Sequence, residues 1–124
     1  MLLIDSDILI DFIRGYEPSY SFFKENNGSM FISTLSKFEI IAGAKNQRKI
    51  ILLEEFLSNF SILMLNNEIV DSGYEIFKSI FLKNNMSYMD ALIASTALYF
   101  KMPLVSRNKK HYNNVEKLQL IIPY

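Results

Sequence analysis

The sequence predicts an α/β protein in three layers, with helices on both faces of a mainly parallel sheet of four to five strands. Short unbroken apolar runs such as Met1-Leu2-Leu3-Ile4 have the character of strands buried on both faces. They alternate with segments whose apolar residues recur at helical spacing. Strands that alternate with helices imply right-handed crossovers, which make the sheet parallel and cover both of its faces. The 124 residues fit one domain, residues 1–124, able to bury one real core.

The first strand stops at Asp5. From Ile8 the spacing changes to Ile8, Leu9, Phe12 and Ile13, one face of a helix, with Asp5, Ser6 and Asp7 as cap and first-turn residues. Gly15 and Pro18 punctuate a turn, and Tyr20, Phe22 and Phe23 lead a second short helix ending near Asn26-Asn27-Gly28. Met30 to Ser33 reads as the second strand. A helix from about Ser36 follows, with Phe38, Ile41 and Ala42 on one face and Glu39 in its first turn. Lys45 to Lys49 reads as a solvated basic connection to a helix carrying Ile50, Leu53, Glu54 and Leu57. Ser61 to Leu65 is the third strand. Ile69, Gly73, Ile76, Phe77, Ile80 and Phe81 mark a long helix from Glu68 to Asn84-Asn85. Met86 to Phe100 holds the next, with Met89, Leu92, Ile93, Thr96, Ala97 and Phe100 along one face. Leu104-Val105 and Leu118 to Ile122 are the closing strands.

Thirteen basic and thirteen acidic residues cancel, so any nucleic-acid site must depend on a local patch or a bound cation. Without cysteine there is no disulfide and no thiolate metal site, and a metal must use oxygen or the single His111. Asp5, Asp7 and Asp11 interrupt the N-terminal apolar run, and no stretch approaches the roughly 20 apolar residues of a membrane span. A soluble, cytoplasmic protein is expected, with no membrane partner. Half the residues are hydrophobic, more than one small core requires, which points to an interface drawn from Phe12, Tyr16, Phe22, Phe23 and the Ile50 to Phe60 helix.

Three acids stand where chemistry is well placed. Asp5 ends a strand, while Ser36 to Glu39 and Ser87 to Asp90 have the spacing of a capping box. Capping accounts for each acid singly. Yet helices that begin after parallel strands begin at one edge of the sheet, so the same geometry gathers Asp5, Glu39 and Asp90, and ligands bind at that edge. Carboxylates within ~4 to 6 Å repel and raise one another's pKa unless a cation neutralises them. A hard divalent ion such as Mg²⁺ would do so, and it suits phosphodiester hydrolysis.

The motifs also carry a resemblance. Leu3-Ile4-Asp5-Ser6-Asp7-Ile8-Leu9-Ile10-Asp11 resembles the opening motif of PIN-domain ribonucleases, and Ser33 to Gly43, around Glu39, their second. Asp90-Ala91-Leu92-Ile93-Ala94 resembles their third and Leu104-Val105-Ser106-Arg107-Asn108 their fourth. The likeness spans essentially the whole chain as a single PIN domain, and VapC-type toxins of toxin–antitoxin pairs resemble it most. It implies a three-layer PIN-like fold and a metal-dependent endoribonuclease acting on structured RNA such as tRNA, neutralised by a cognate antitoxin and forming a homodimer. It further implies that Asp5 and Asp90 bind Mg²⁺ or Mn²⁺ directly, that Glu39 helps through a water or a second metal, and that Asn108 completes the catalytic set.

Asp7 stands where many relatives have Asn, Ser6 where many have Thr, and Asn108 where many carry a fourth acid. Ser6, Arg107 and Lys109 are the expected substrate-side residues, since Arg107, Lys109, Lys110 and His111 crowd one late turn where they could meet an RNA backbone. His111 reads as structural or substrate-side. A receiver-like signalling module would need an acceptor Asp after the third strand, where Leu63-Met64-Leu65-Asn66 offers none, and intact Asp5, Glu39 and Asp90 argue against an inactive PIN-like binding module.

Overall fold

A computed structural model describes residues 1–124. In chain order the elements are β1 (Leu2–Ile4), α1 (Ser6–Ile13), α2 (Glu17–Glu25), β2 (Met30–Ser33), α3 (Thr34–Ala42), α4 (Gln47–Leu57) and β3 (Ser61–Leu63). There follow α5 (Asn67–Asn84), α6 (Tyr88–Tyr99), β4 (Leu104–Val105), α7 (Lys109–Tyr112) and β5 (Leu120–Ile121).

All five strands are parallel, in the order β3-β2-β1-β4-β5. The central strand is β1, with Leu3 opposite Leu104 and Ile4 opposite Val105. Successive strand residues face opposite sides, so Leu3 and Leu104 join Ile93, Ala94, Ala97 and Tyr112 in one core. Ile4, Ile32 and Val105 join Ile8, Leu9, Ile40, Leu53 and Leu57 in the other. The chain builds outward from β1 to β3, then returns across β1 to β4. That reversal between β1 and β4 is where a parallel sheet opens a crevice at its carboxyl edge.

Several elements differ from their sequence reading. β2 runs directly into α3, so Ser33 rather than Ser36 caps the helix, its Oγ accepting from the Leu35 N–H at 3.1 Å. Ser36 lies inside α3 with a buried hydroxyl that has no partner, and Glu39 therefore falls beyond the first turn. Lys49 is not a loop residue: Asn46 Oδ1 caps α4 by accepting its N–H at 2.9 Å. From Ala91 to Ala97 α6 is buried or half-buried on every side rather than along one face, because α5 covers the side away from the sheet. The two helices pack so closely at Gly73 that an added Cβ would lie 2.8 Å from Leu92 Cδ2. Phe22 is 8% exposed and belongs to the core, so it is not interface. Phe23 lines a cavity of about 500 Å³ with Phe12, Phe56 and Phe60. Of the expected group, Tyr16 and, on the Ile50 to Phe60 helix, Ile51 and Leu52 are exposed; Phe38 on α3 and Val70, Tyr74 and Leu82 on α5 are exposed besides. No helix is long and apolar enough to cross a membrane.

Candidate active site

Asp5 and Ser106 follow the adjacent strands β1 and β4 directly, and their side chains meet. Asp5 is 5% exposed and caps α1: its Oδ1 accepts the Ser6 N–H and its Oδ2 the Ser106 hydroxyl, each at 2.8 Å. Burial, and next the charge of Asp7, push its pKa up to about 7, against the pull of the Ser106 and Ser6 hydrogen bonds. Ser106 Oγ also lies 3.3 Å from Asp7 Oδ2 and accepts the Asn108 N–H at 3.0 Å. A hydroxyl has one proton, so Ser106 donates to only one of these carboxylates at a time. Asp7 Oδ2 accepts the Arg107 N–H at 2.9 Å, while Asp7 Oδ1 is buried without a partner. Desolvation raises the Asp7 pKa as well.

Asp90 enters from the first turn of α6, oriented by Ser87, whose Oγ accepts the Asp90 N–H at 3.1 Å. Its carboxylate is a hub for the late turn. Oδ2 lies 2.8 Å from His111 Nδ1 and 3.4 Å from Asn108 Nδ2, and Oδ1 accepts the Tyr112 hydroxyl at 3.3 Å. The same His111 Nδ1 also lies 3.0 Å from Asn108 Nδ2, so the ring nitrogen stands between an acceptor and a donor. Tyr112 is buried, and desolvation together with the Asp5 and Asp90 charges raises its pKa well above the ordinary phenol value, keeping it a donor. Glu39, on α3, is the most exposed of the acids. Partial desolvation raises its pKa, the Ser6 hydroxyl lowers it, and the charges of Asp90 and Asp7 raise it again.

The structure thus brings Asp5, Asp7, Glu39 and Asp90 into one electrostatic neighbourhood at the β1–β4 crevice, with Ser6 on Glu39 and Asn108 on Asp90. None of these four acids pairs with a lysine or arginine. Lys109 is exposed at the start of α7 and forms no ion pair. Arg107 points elsewhere: its Nη1 lies 2.9 Å from Asp11 Oδ2. Sequence reasoning missed Ser106, Tyr112 and Asp11. Ser106 was open to the rule that singled out Asp5, a polar residue directly after a buried strand. Tyr112 had no signal, because α7 is a single turn placed by tertiary packing.

No three His, Asp or Glu side chains converge closely enough to enclose a metal ion by themselves. The donor set nevertheless fits a hard divalent cation held partly through waters. It consists of carboxylate oxygens, those of Asp5, Asp7 and Glu39 with raised pKa values, and includes a buried oxygen, Asp7 Oδ1, with no hydrogen-bond partner.

The sequence profile of the PIN domain matches residues 2–118. Ribonuclease VapC1 of Methanocaldococcus jannaschii is 28% identical over 123 residues, covering 98% of this chain and 85% of that protein. Ribonuclease VapC19 of Mycobacterium tuberculosis is likewise 28% identical over 123 residues, covering 96% of this chain and 98% of its own. Among solved structures, a toxin–antitoxin complex from Klebsiella pneumoniae superposes with a TM-score of 0.85 at 23% identity, covering 100% of this chain and 98% of the other. The DNA-bound VapBC of Salmonella typhimurium gives 0.83 at 21%, with 97% and 96% covered. At such identities these structures share the fold.

Proposed function

Because this chain belongs to the PIN domain family, we propose that it is a divalent-metal-dependent endoribonuclease, the toxin of a toxin–antitoxin pair that its antitoxin neutralises. The ribonucleases VapC1 and VapC19, similar along 85% and 98% of their length, support the activity, and the toxin–antitoxin complexes with the same fold support the partner. The observation that carries the reading is the group Asp5, Asp7, Glu39 and Asp90 at the β1–β4 crevice, which no lysine or arginine neutralises.

In this reading Asp5 and Asp90 hold Mg²⁺, for which Mn²⁺ substitutes, and Glu39 takes part through a water. When bound, the cation supplies an activated water and offsets the phosphate charge. The chain's own residues do the rest. Glu39, whose carboxyl is shifted toward neutrality, accepts a proton from the attacking water. Asn108, hydrogen-bonded to Asp90, presents its amide to water or phosphate without adding charge. Ser6 orients Glu39 and touches the substrate side, while unpaired Lys109 attracts the RNA backbone. The substrate is structured RNA such as tRNA in the cytoplasm, and the protein acts as a homodimer.

The test is cleavage of structured RNA by purified protein with Mg²⁺ or Mn²⁺. Cleavage is expected to stop in EDTA and return with either metal. Equal cleavage in EDTA would overturn the assignment.

A further inference from the structure

The Arg107 side chain is the one basic group of the late turn whose contacts lead away from the acids. Its Nη1 lies 2.9 Å from Asp11 Oδ2, and the Tyr124 hydroxyl donates to the same oxygen at 2.9 Å. The guanidinium carbon lies 5.4 Å from the ring centroids of both Tyr16 and Tyr124, whose rings are themselves 5.5 Å apart. These contacts tie together α1, the start of α2, the turn after β4 and the residues after β5. The backbone of Arg107 meanwhile bonds inward, its N–H donating to Asp7 Oδ2 at 2.9 Å. Asp7 and Asp11 are one turn apart on α1, so that helix holds the turn at two points, once by backbone and once by side chain.

We infer that Arg107 is a positioning residue rather than a phosphate contact: with Asp11, Tyr16 and Tyr124 it latches the Ser106 to Asn108 turn so that Ser106 meets Asp5 and Asn108 meets Asp90. Its one ion pair is with Asp11, whose side chain is 19% exposed against 45% for Arg107 itself, and both tyrosine rings lie beside the guanidinium, so engaging RNA would strand that carboxylate. A neutralised pair adds little to phosphate attraction. The turn it holds supplies the hydroxyl at 2.8 Å from Asp5 and the amide at 3.4 Å from Asp90. Small displacements of such groups carry large rate costs.

The inference rests on the ribonuclease reading, and the experiment separates the two. Wild type, Arg107→Met, Asp11→Ala, the double variant and Tyr124→Phe are compared in single-turnover cleavage, in RNA affinity against salt, and in amide exchange at positions 107 and 108. Methionine keeps an unbranched stem without the charge, and Tyr124→Phe removes only one hydroxyl, so folding is preserved in at least one arm. Arg107→Met and Asp11→Ala are each expected to slow cleavage roughly tenfold. The double variant should be no slower than the worse single, since the two act as a unit. RNA affinity and its salt slope should stay put, and amide exchange at 107 and 108 should accelerate, with Tyr124→Phe following more weakly. A salt slope reduced by about one in Arg107→Met would overturn the latch, because that marks a lost phosphate contact. So would additive effects or unchanged amide exchange. A wild type that cuts no RNA would sink the ribonuclease reading alone, for amide exchange would still decide whether Arg107 holds the turn.

Discussion

Burying the Asp5 carboxyl at the end of β1 ties the stability of the chain to pH. Its folded pKa, about 7, lies above the ordinary 3.8, so protonation is favoured by folding. That stability is fully present below pH ~4 and is lost as pH rises toward 7, where only the unfolded chain ionises freely. Asp7 and Glu39 are shifted the same way and add to the trend. The metal-free protein should therefore melt progressively lower between pH 4 and 7.5. Asp5→Asn should flatten this curve, raise the melting temperature at pH 7.5 and abolish cleavage, and a differential scanning series checks all three. Mg²⁺ should restore part of the wild-type loss at neutral pH, because a cation bound only by the folded state stabilises it. Ser106 stands on the other side of this balance. Its hydrogen bond lowers the Asp5 pKa, so Ser106→Ala should move the acid limb of the cleavage profile to higher pH. It should also cost about 1–3 kcal/mol in denaturant unfolding, from a buried acceptor left short of a donor.

At the scale of the element, α3 decides where Glu39 stands. A capping box at Ser36 would have begun the helix three residues late. The structure caps it with Ser33 because β2 leads into α3 without a loop, and the chain can turn only where the strand ends. The two serines should therefore differ sharply on truncation. Ser33→Ala should lose about 1 kcal/mol with the Leu35 cap. Ser36→Ala should be neutral or slightly stabilising, since its hydroxyl is buried without a partner. Urea midpoints of the two variants settle the matter, and equal losses would restore the capping box. Of the Ser87 to Asp90 box only the serine half forms: Ser87 Oγ accepts the Asp90 N–H, while the Asp90 carboxylate turns to His111, Asn108 and Tyr112.

For the whole molecule the balance of charge matters more than its sum. Net charge is zero, yet four acids share one crevice and the free cations of the late turn stand outside it. RNA attraction should thus be weak without divalent cation and modest in its salt dependence. Lys109→Met should lower the slope of log affinity against log salt by about one, uniformly across RNA sequences, as measured by filter binding. Among the apolar residues left in solvent, Phe38, 71% exposed, stands next to Glu39 on α3. Co-expression with the antitoxin should cover such a face. Phe38→Ser is expected to weaken that complex and leave folding intact, by pull-down and melting temperature, whereas Phe22→Ser should unfold the core.

Local chemistry alone was enough for the alternation of strands and helices, for Asp5 at a strand end and for Ser87 capping the helix of Asp90, since period, burial and capping are set within a few residues of the chain. The four motifs in order likewise pointed to the PIN domain. Only the tertiary structure decided the rest, because it depends on contacts between residues a hundred positions apart. Ser106 reaches Asp5 only when β4 inserts beside β1, and Arg107 and Tyr124 share the Asp11 carboxylate only when the turn after β4 and the residues after β5 lie beside α1. α6 lost its single apolar face once α5 closed over it, and Phe22 moved from surface to core for the same reason: a side chain's environment is made by its neighbours in space, and sequence spacing cannot count them.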